Sequence, residues 1–165
     1  MTTTNDLFSP PTESWVRLSS RFIPLRRLDT ALGWVLLTAI AVVPLWIFVG
    51  RTPGLAALGV GAGLTLWRVV RQGAIVRAWG YAERETDLYI TSGIFQRQLT
   101  VVPYGRMQAV EVTAGPLQRA FNVATVKLVT ASAQSDAVIP GLEPEAAAAL
   151  RDRLTERGET QAAGL

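Results

Sequence analysis

A chain of 165 residues has room for about one domain; 49% of its residues are hydrophobic, and its mean hydropathy is +0.26. It contains no cysteine and no histidine, which excludes disulfides, thiol nucleophiles and iron–sulfur clusters and removes the commonest metal ligand. The net charge of +3 divides into +5 over residues 1–78 (eight arginines, three acidic residues) and −2 over residues 79–165 (eight basic, ten acidic residues). The basic charge therefore accompanies the apolar first half, and we predict no nucleic-acid partner.

The first 29 residues are polar or amphipathic. Residues 1–14 carry Pro10 and Pro11 in a polar context, a composition that predicts a disordered tail. Residues 15–29 form a basic juxtamembrane segment that mixes arginines with apolar side chains, which is typical of a stretch lying on an anionic membrane surface. An ordinary membrane-flanking stretch without lipid specificity has the same composition.

Residues 30–50 are uncharged at 21 consecutive positions. As a helix they would reach about 31 Å, close to the thickness of the hydrocarbon core of a bilayer. Trp34 and Trp46 lie near the two ends, where aromatic side chains favour the membrane interfaces. We predict a transmembrane helix here, because a soluble helix would show a polar face and a cleaved signal peptide would have a shorter apolar core.

A turn at residues 50–54 leads to a second uncharged run of 16 residues, which is extended to residue 70 if Arg68 snorkels toward the headgroups. Gly59 and Gly63 have the four-residue spacing that lets membrane helices approach closely, although a flexible loop is also rich in glycine. We predict a second transmembrane helix over residues 52–70, packed on the first as a helical hairpin.

Arginines flank this hairpin unequally. Arg51 alone lies in the turn, whereas seven arginines lie outside it: Arg17, Arg21, Arg26, Arg27, Arg68, Arg71 and Arg77. Under the positive-inside rule this bias predicts a multi-pass membrane protein with both termini in the cytoplasm and a basic linker over residues 71–78. The seven arginines are also the candidate contacts for lipid headgroups.

From residue 79 the pattern changes to short alternating runs between turn residues, which predicts a small antiparallel β domain over residues 79–158. Gly93 marks a hairpin turn, and Pro116 predicts one or two helical turns between strands.

A C-terminal helix is predicted from Pro144 at its first turn to a Gly158 C-cap, followed by a disordered tail over residues 159–165. An apolar stripe at helical spacing predicts that this helix covers the sheet. The stripe consists of Ala146, Ala147, Leu150 and Leu154.

Three motifs follow one another at a specific spacing: VPYGRMQAVEV from residue 102, GPLQR from residue 115 and IPGL from residue 139. With two apolar runs upstream, residues 79–154 resemble the bacterial pleckstrin-homology-like (PH-like) domain of YdbS-type membrane proteins. The resemblance implies a bent antiparallel sheet or barrel of about seven strands capped by the C-terminal α-helix, in a protein of the bacterial cell membrane. It implies a scaffold or adaptor and brings no catalytic residue, metal or cofactor with it.

The loop between the first two strands of this domain is acidic. Lipid-binding eukaryotic relatives hold phosphoinositides with basic residues around this loop, whereas here it contains Glu83, Glu85 and Asp87 beside Arg84. The resemblance therefore does not carry phosphoinositide binding to this chain. Because the loop is predicted to be solvated, its carboxylates offer no shielded pair for acid–base catalysis.

The polar members of the strongest motifs are the candidate site residues, either for partner binding or for structure. They are Tyr104, Arg106, Gln108 and Arg119. The two arginines could hold an acidic partner segment or a phosphate through bidentate contacts. Alternatively they pair with Glu111 or Asp87, or bond loop carbonyls, and fix a corner of the sheet.

We expect a non-enzymatic scaffold or adaptor at the cytoplasmic face of the membrane. Its expected partners are membrane lipids and a membrane protein, either a larger PH-like relative or further copies of this chain, bound at a sheet edge or beside the terminal helix. The alternative is a sensor of anionic lipid or envelope stress that uses the juxtamembrane arginines. An enzyme is the third class, and it would require a polar pocket that holds a small molecule.

Overall fold

A computed structural model describes residues 14–131 and 136–163 and divides the chain into two compact units. The helical unit comprises Ile23–Ala74, and the domain unit joins the described residues up to Phe22 to those from Ile75 onward. Apart from Ser14, the tail predicted to be disordered lies outside the described residues.

The helical unit consists of two long helices joined at Gly50. Helix α1 covers Phe22–Pro44 and continues as a π-helical turn over Leu45–Val49, and helix α2 covers Arg51–Arg77. The π-turn follows directly on Pro44, whose ring removes a backbone donor from the ladder. With 28 and 27 residues, both helices are long and apolar enough to cross a membrane, and the apolar windows are 0% and 6% buried, unlike the core helix of a soluble protein. Helix α1 begins eight residues before the predicted span, because the amphipathic residues from Phe22 are helical as well.

Two glycines of α2 make the close approach to α1. A Cβ at Gly61 would overlap the side chain of Thr38, and one at Gly54 would lie 2.8 Å from Cε3 of Trp46. The seven-residue spacing of these glycines places them on one face of α2. Gly59 and Gly63 have no atom within 4 Å of a Cβ position, so the prediction that they form the contact is wrong. Small residues do form the contact between the two helices, but they are Gly54 and Gly61, which lie on a different face of α2 from Gly59 and Gly63.

Among its described residues, the domain unit forms seven strands in two antiparallel sheets, which confirms the predicted PH-like fold. Sheet A has the order β1-β2-β3-β4, with β1 Val16–Arg17, β2 Gly80–Glu83, β3 Asp87–Ser92 and β4 Gln98–Pro103. Sheet B has the order β5-β6-β7, with β5 Met107–Thr113, β6 Ala124–Thr130 and β7 Ala137–Leu142. Strand β1 precedes both long helices and was not predicted.

Segment 14–22 is held in the domain by several contacts. Val16 and Arg17 are in register with Tyr81 and Gly80, and the backbone N–H of Ser19 donates to the carbonyl of Gly141 at 3.0 Å. Phe22 is buried against Gly141, where φ is +68° and a Cβ would overlap the phenyl ring. The predicted membrane-surface segment over residues 15–29 thus begins as part of the folded domain.

Two helices complete the domain unit. Helix α3 covers Pro116–Ala120 with proline in its first turn, as predicted, and the Gln118 side chain accepts a hydrogen bond from the N–H of Gly115 at 2.9 Å. Helix α4 covers Pro144–Ala163 and buries Ala147, Leu150 and Leu154 on the sheets, although Ala146 of the predicted stripe is exposed.

Helix α4 does not end at Gly158, so the predicted C-cap is wrong. Residues 159–163 of the predicted tail are helical, and the last two residues lie outside the described part. The reason is tertiary contact: a Cβ on Gly158 would lie 3.7 Å from Met107 and from the carbonyl of Tyr104, and Gln161 accepts a hydrogen bond from the N–H of Gly105 at 3.1 Å.

Candidate partner-binding site

The corner between the two sheets is a 3₁₀ turn over Tyr104–Arg106. Tyr104 is fully buried, and its hydroxyl donates to the carbonyl of Arg84 at 3.0 Å and accepts from Nη1 of Arg157 at 2.9 Å. Burial raises the pKa of the Tyr104 hydroxyl, and the hydrogen bond from Arg157 partly offsets this rise. Tyr104 therefore anchors the corner and is not available to a partner.

Glu83 at the end of β2 is held by two arginines of α4. Its carboxylate accepts from Nη2 and Nε of Arg153 at 2.7 and 3.1 Å, and Nη1 of Arg157 lies 3.7 Å away. This bidentate geometry is the strong form of an arginine–carboxylate pair, and it raises the pKa of Arg153. Burial, with a smaller contribution from Glu83, also raises the pKa of Tyr81.

Glu83, Arg153 and Arg157 form a cluster, the Glu83 cluster, that the sequence patterns did not predict. The Glu83 side chain is only 16% exposed, so the prediction that its loop is solvated is wrong for this residue. Arg153 and Arg157 stand four residues apart on a predicted helix, which is the one sequence signal that pointed to a shared partner.

Arg106 and Gln108 are brought together beside a groove of about 470 Å³, the corner groove. Gln108 lies at a register shift between Met107 and Ala109, where an extra residue bulges from β5. Among the described residues lining this groove, Arg106 alone is charged. The lining residues are Val101, Val102, Pro103, Gly105, Arg106, Met107, Gln108, Thr130 and Ala131.

A second groove of about 230 Å³, the helix groove, lies between β5 and α4. It is lined by Met107 to Val110 from β5 and by Leu154, Thr155, Gly158 and Glu159 from α4. Met107 and Gln108 line both grooves, so the two form one surface along the start of β5. Within the described chain β5 pairs with β6 alone, so its other edge is open in the sense that no strand pairs with it.

Arg119 lies elsewhere, exposed on α3, and does not line either groove. In the described part of the chain, the guanidinium groups of Arg106 and Arg119 form no hydrogen bond or ion pair. The predicted alternative, pairing with Glu111 or Asp87, is therefore not observed among these residues. Asp87 instead accepts a hydrogen bond from the Thr86 hydroxyl at 2.9 Å.

The candidate lipid-contacting arginines fall into two groups. Arg17 and Arg77 belong to the domain unit, where Nη1 of Arg17 donates to the carbonyl of Arg77 at 3.2 Å. Arg21 is an exposed residue of the same unit, and in the helical unit Arg26 lies 4.0 Å from Asp29. Arg27 is exposed on α1.

Arg68 and Arg71 stack on tryptophans of the helical unit. The Arg68 guanidinium lies 5.0 Å from the ring centre of Trp34 on α1 and 5.8 Å from that of Trp67, and Arg71 lies 4.9 Å from Trp67. These are cation–π distances, and tryptophan with arginine is the side-chain pair expected at a membrane interface. Among the described residues, no group of three or more acidic side chains could hold a metal ion.

Comparison with known proteins bears on these observations. A family model described as Bacterial PH domain matches residues 27–158. The UPF0699 transmembrane protein YdbS of Bacillus subtilis (strain 168) is 40% identical over 79 residues, which are 48% of this chain and 48% of that protein. The matched region thus spans about half the length of this curated relative. No solved structure matches the chain significantly.

Proposed function

This chain is a membrane protein of the bacterial PH domain family, and from that premise we propose that it is a non-enzymatic scaffold whose domain binds a protein segment along β5. The observation that carries the proposal is the open edge of β5 between the corner groove and the helix groove. An extended segment can add to such an edge by main-chain hydrogen bonds, while the flanking grooves select its side chains.

The membrane topology of the proposal is a hairpin with both termini in the cytoplasm. Strand β1 precedes α1 and strand β2 follows α2, and the two pair with each other. Segments that pair must lie on the same side of a membrane, which supports an even number of crossings between them. The arginine excess outside the Gly50 turn supports the cytoplasm as that side.

The chemistry of the grooves favours a partner segment with an acidic side chain. Arg106 is exposed at the corner groove, and the exposed side chain of Val101 provides apolar surface in the same groove. A carboxylate of the partner would form a charge-assisted pair with Arg106, and the bulge at Gln108 interrupts the register at the point where the added strand begins.

The test is photocrosslinking from Gln108 in the full chain in native bacterial membranes. A photoreactive amino acid there should capture a protein, which mass spectrometry then identifies as a larger PH-like relative, a copy of this chain or another membrane protein. Replacing Arg106 by Glu should lower the crosslinked yield roughly tenfold, because a charge-assisted pair becomes a repulsive one.

Arg119→Glu is the matched control, since Arg119 is also exposed but lies outside both grooves. It should leave the crosslinked yield unchanged within about twofold, as expected for a charge that a partner does not contact. Absence of any crosslinked product, together with only monomer in mild detergent, would contradict the scaffold role.

A second candidate function is sensing of anionic lipid, or of envelope stress through the lipid. It is favoured by the cluster in which Arg68 stacks on Trp34 and Trp67 and Arg71 stacks on Trp67. Such a cluster would present cationic groups to phosphates at the height of the interface. Sensing predicts that the crosslinked yield from Gln108 changes with the anionic lipid fraction, whereas a constitutive scaffold predicts no change.

A further inference from the structure

The tip of the β3–β4 hairpin exposes two apolar side chains at the surface of the domain. Phe95 is 87% exposed and Ile94 is 38% exposed, which makes Phe95 the most exposed large hydrophobic side chain in the described domain unit. Gly93 adopts φ +91°, and a Cβ there would overlap the backbone of Gln96. The turn therefore has a defined conformation that only glycine accommodates, and it presents the two apolar residues at its apex.

The charge around this tip is basic. Arg97 follows the apolar pair, and residues 88–105 contain no acidic residue. The carboxylates of this sheet lie at its opposite end, where Glu85 and Asp87 border the β2–β3 loop. The hairpin is thus apolar and basic at one end and acidic at the other.

Strand register places the tip at the end of sheet A to which both long helices are joined. Gly80 pairs with Thr91 and Thr91 with Leu99, so the tip projects beyond the first residue of β2. Gly80 follows the end of α2 by three residues, and Arg17, which pairs with Gly80, precedes the start of α1 by five. The acidic β2–β3 loop therefore lies at the other end of sheet A, away from the residues that connect the sheet to the two helices.

We propose that the β3–β4 tip inserts Ile94 and Phe95 into the headgroup layer of the membrane that the chain's own helices cross, with Arg97 on the phosphates. This contact uses the membrane anchoring of the chain but not its partner-binding role. It would hold the domain at a third point and keep the acidic loop away from the anionic surface. A large aromatic side chain with a neighbouring arginine is suited to this layer, where apolar burial and charge attraction act together.

The test uses the full chain in nanodiscs of phosphatidylglycerol and phosphatidylethanolamine. Because the chain has no cysteine, Gln96→Cys and Glu85→Cys each introduce a single site for an environment-sensitive fluorophore. Both residues are exposed, and they lie at opposite ends of the sheet. Nitroxide lipids carry the quencher either at the headgroup or deep in the acyl chain.

The label at Gln96 should be quenched several-fold more strongly by headgroup nitroxide than the label at Glu85, with little quenching by the deep nitroxide. Adding Phe95→Ser to Gln96→Cys should lower the inserted population roughly tenfold, because the apolar area buried in the interface is lost. Val138→Ser, which removes a 40% exposed apolar side chain of β7 outside both grooves and away from the tip, should leave the quenching unchanged.

Equal quenching at Gln96 and Glu85, or quenching at Gln96 that does not respond to Phe95→Ser, would overturn the proposal. Unfolding is not a competing explanation of a lost signal, because Phe95 is almost fully exposed, and an unchanged far-UV circular dichroism spectrum verifies that the fold is intact. Failure of insertion would leave the crosslinking at Gln108 unaffected, so the two proposals fail separately.

Discussion

At the scale of single residues, Glu83 and Glu85 are chemically identical and two positions apart, but the fold gives them different roles. Glu83 ends β2 and forms the bidentate pair with Arg153 of α4, while Glu85 is exposed in the following loop. Because Arg157 bonds both the Tyr104 hydroxyl and the Arg84 carbonyl, the Glu83 cluster joins the first hairpin, the corner turn and the last helix. Loss of the Glu83 cluster should therefore weaken the packing of all three elements.

We expect Glu83→Gln to lower the free energy of unfolding of the full chain by about 1–2 kcal/mol, since a charge-assisted pair becomes a neutral contact and two arginines lose their counter-charge. Glu85→Gln is the control and should stay within about 0.5 kcal/mol of the parent. Thermal denaturation in detergent measures both. Because Arg153 and Arg157 are partly exposed, 1 M salt should reduce the difference in stability between Glu83→Gln and the parent. Equal stabilities of Glu83→Gln and the parent at low salt would contradict a stabilising role for the Glu83 cluster.

At the scale of elements, the two long helices are related by small-residue packing. Gly54 and Gly61 of α2 lie against Trp46 and Thr38 of α1, and the Thr38 hydroxyl donates to its own helix at the carbonyl of Trp34. Without water, helices associate through such close contacts because lipid tails are as apolar as the side chains themselves. The sequence pattern showed glycines of the right type in α2, but which of them face α1 depends on the rotation of the helix about its axis.

Gly61→Val should separate the helices locally, because the new side chain would overlap Thr38. We expect the free energy of unfolding to fall by about 1–3 kcal/mol, as it does when other packed cores are overfilled. The measurement is a titration of the full chain in mild detergent with SDS, followed by tryptophan fluorescence, in which the variant should reach half-unfolding at a lower mole fraction of SDS. Gly59→Val introduces the same group where no atom lies within 4 Å and should behave like the parent. The reverse order of effects would show that another face of α2 packs on α1.

At the scale of the whole molecule, the domain is discontinuous in sequence. Strand β1 and Phe22 come from before the helical unit, and they complete sheet A and the surface at Gly141. The Ser19 hydroxyl also donates to Glu143 at 3.3 Å, next to the start of α4. A domain defined by the continuous stretch from residue 79 therefore lacks part of its own structure.

A soluble chain of residues 75–163 should consequently be less stable than one in which residues 14–22 are fused to it through a flexible linker. We expect a difference of at least about 2 kcal/mol in urea unfolding, because the fused segment buries Phe22 and restores the pairing with β2. A fusion carrying Phe22→Ser and Ser19→Ala should lose most of the gain. If the unfused chain were equally stable, segment 14–22 would not belong to the domain.

Hydropathy and charge along the sequence determine by themselves that two helices are long and apolar enough for a membrane, because that property is local and additive over some twenty residues. Local patterning likewise predicts the hairpin at Gly93, the short helix at Pro116 and the start of α4 at Pro144. The tertiary structure alone decides that β1 joins sheet A across the helical unit and that α4 continues past Gly158. It alone also separates Arg106, beside the open edge of β5, from Arg119. These outcomes depend on contacts between residues far apart in the chain, and such contacts leave no trace in local periodicity.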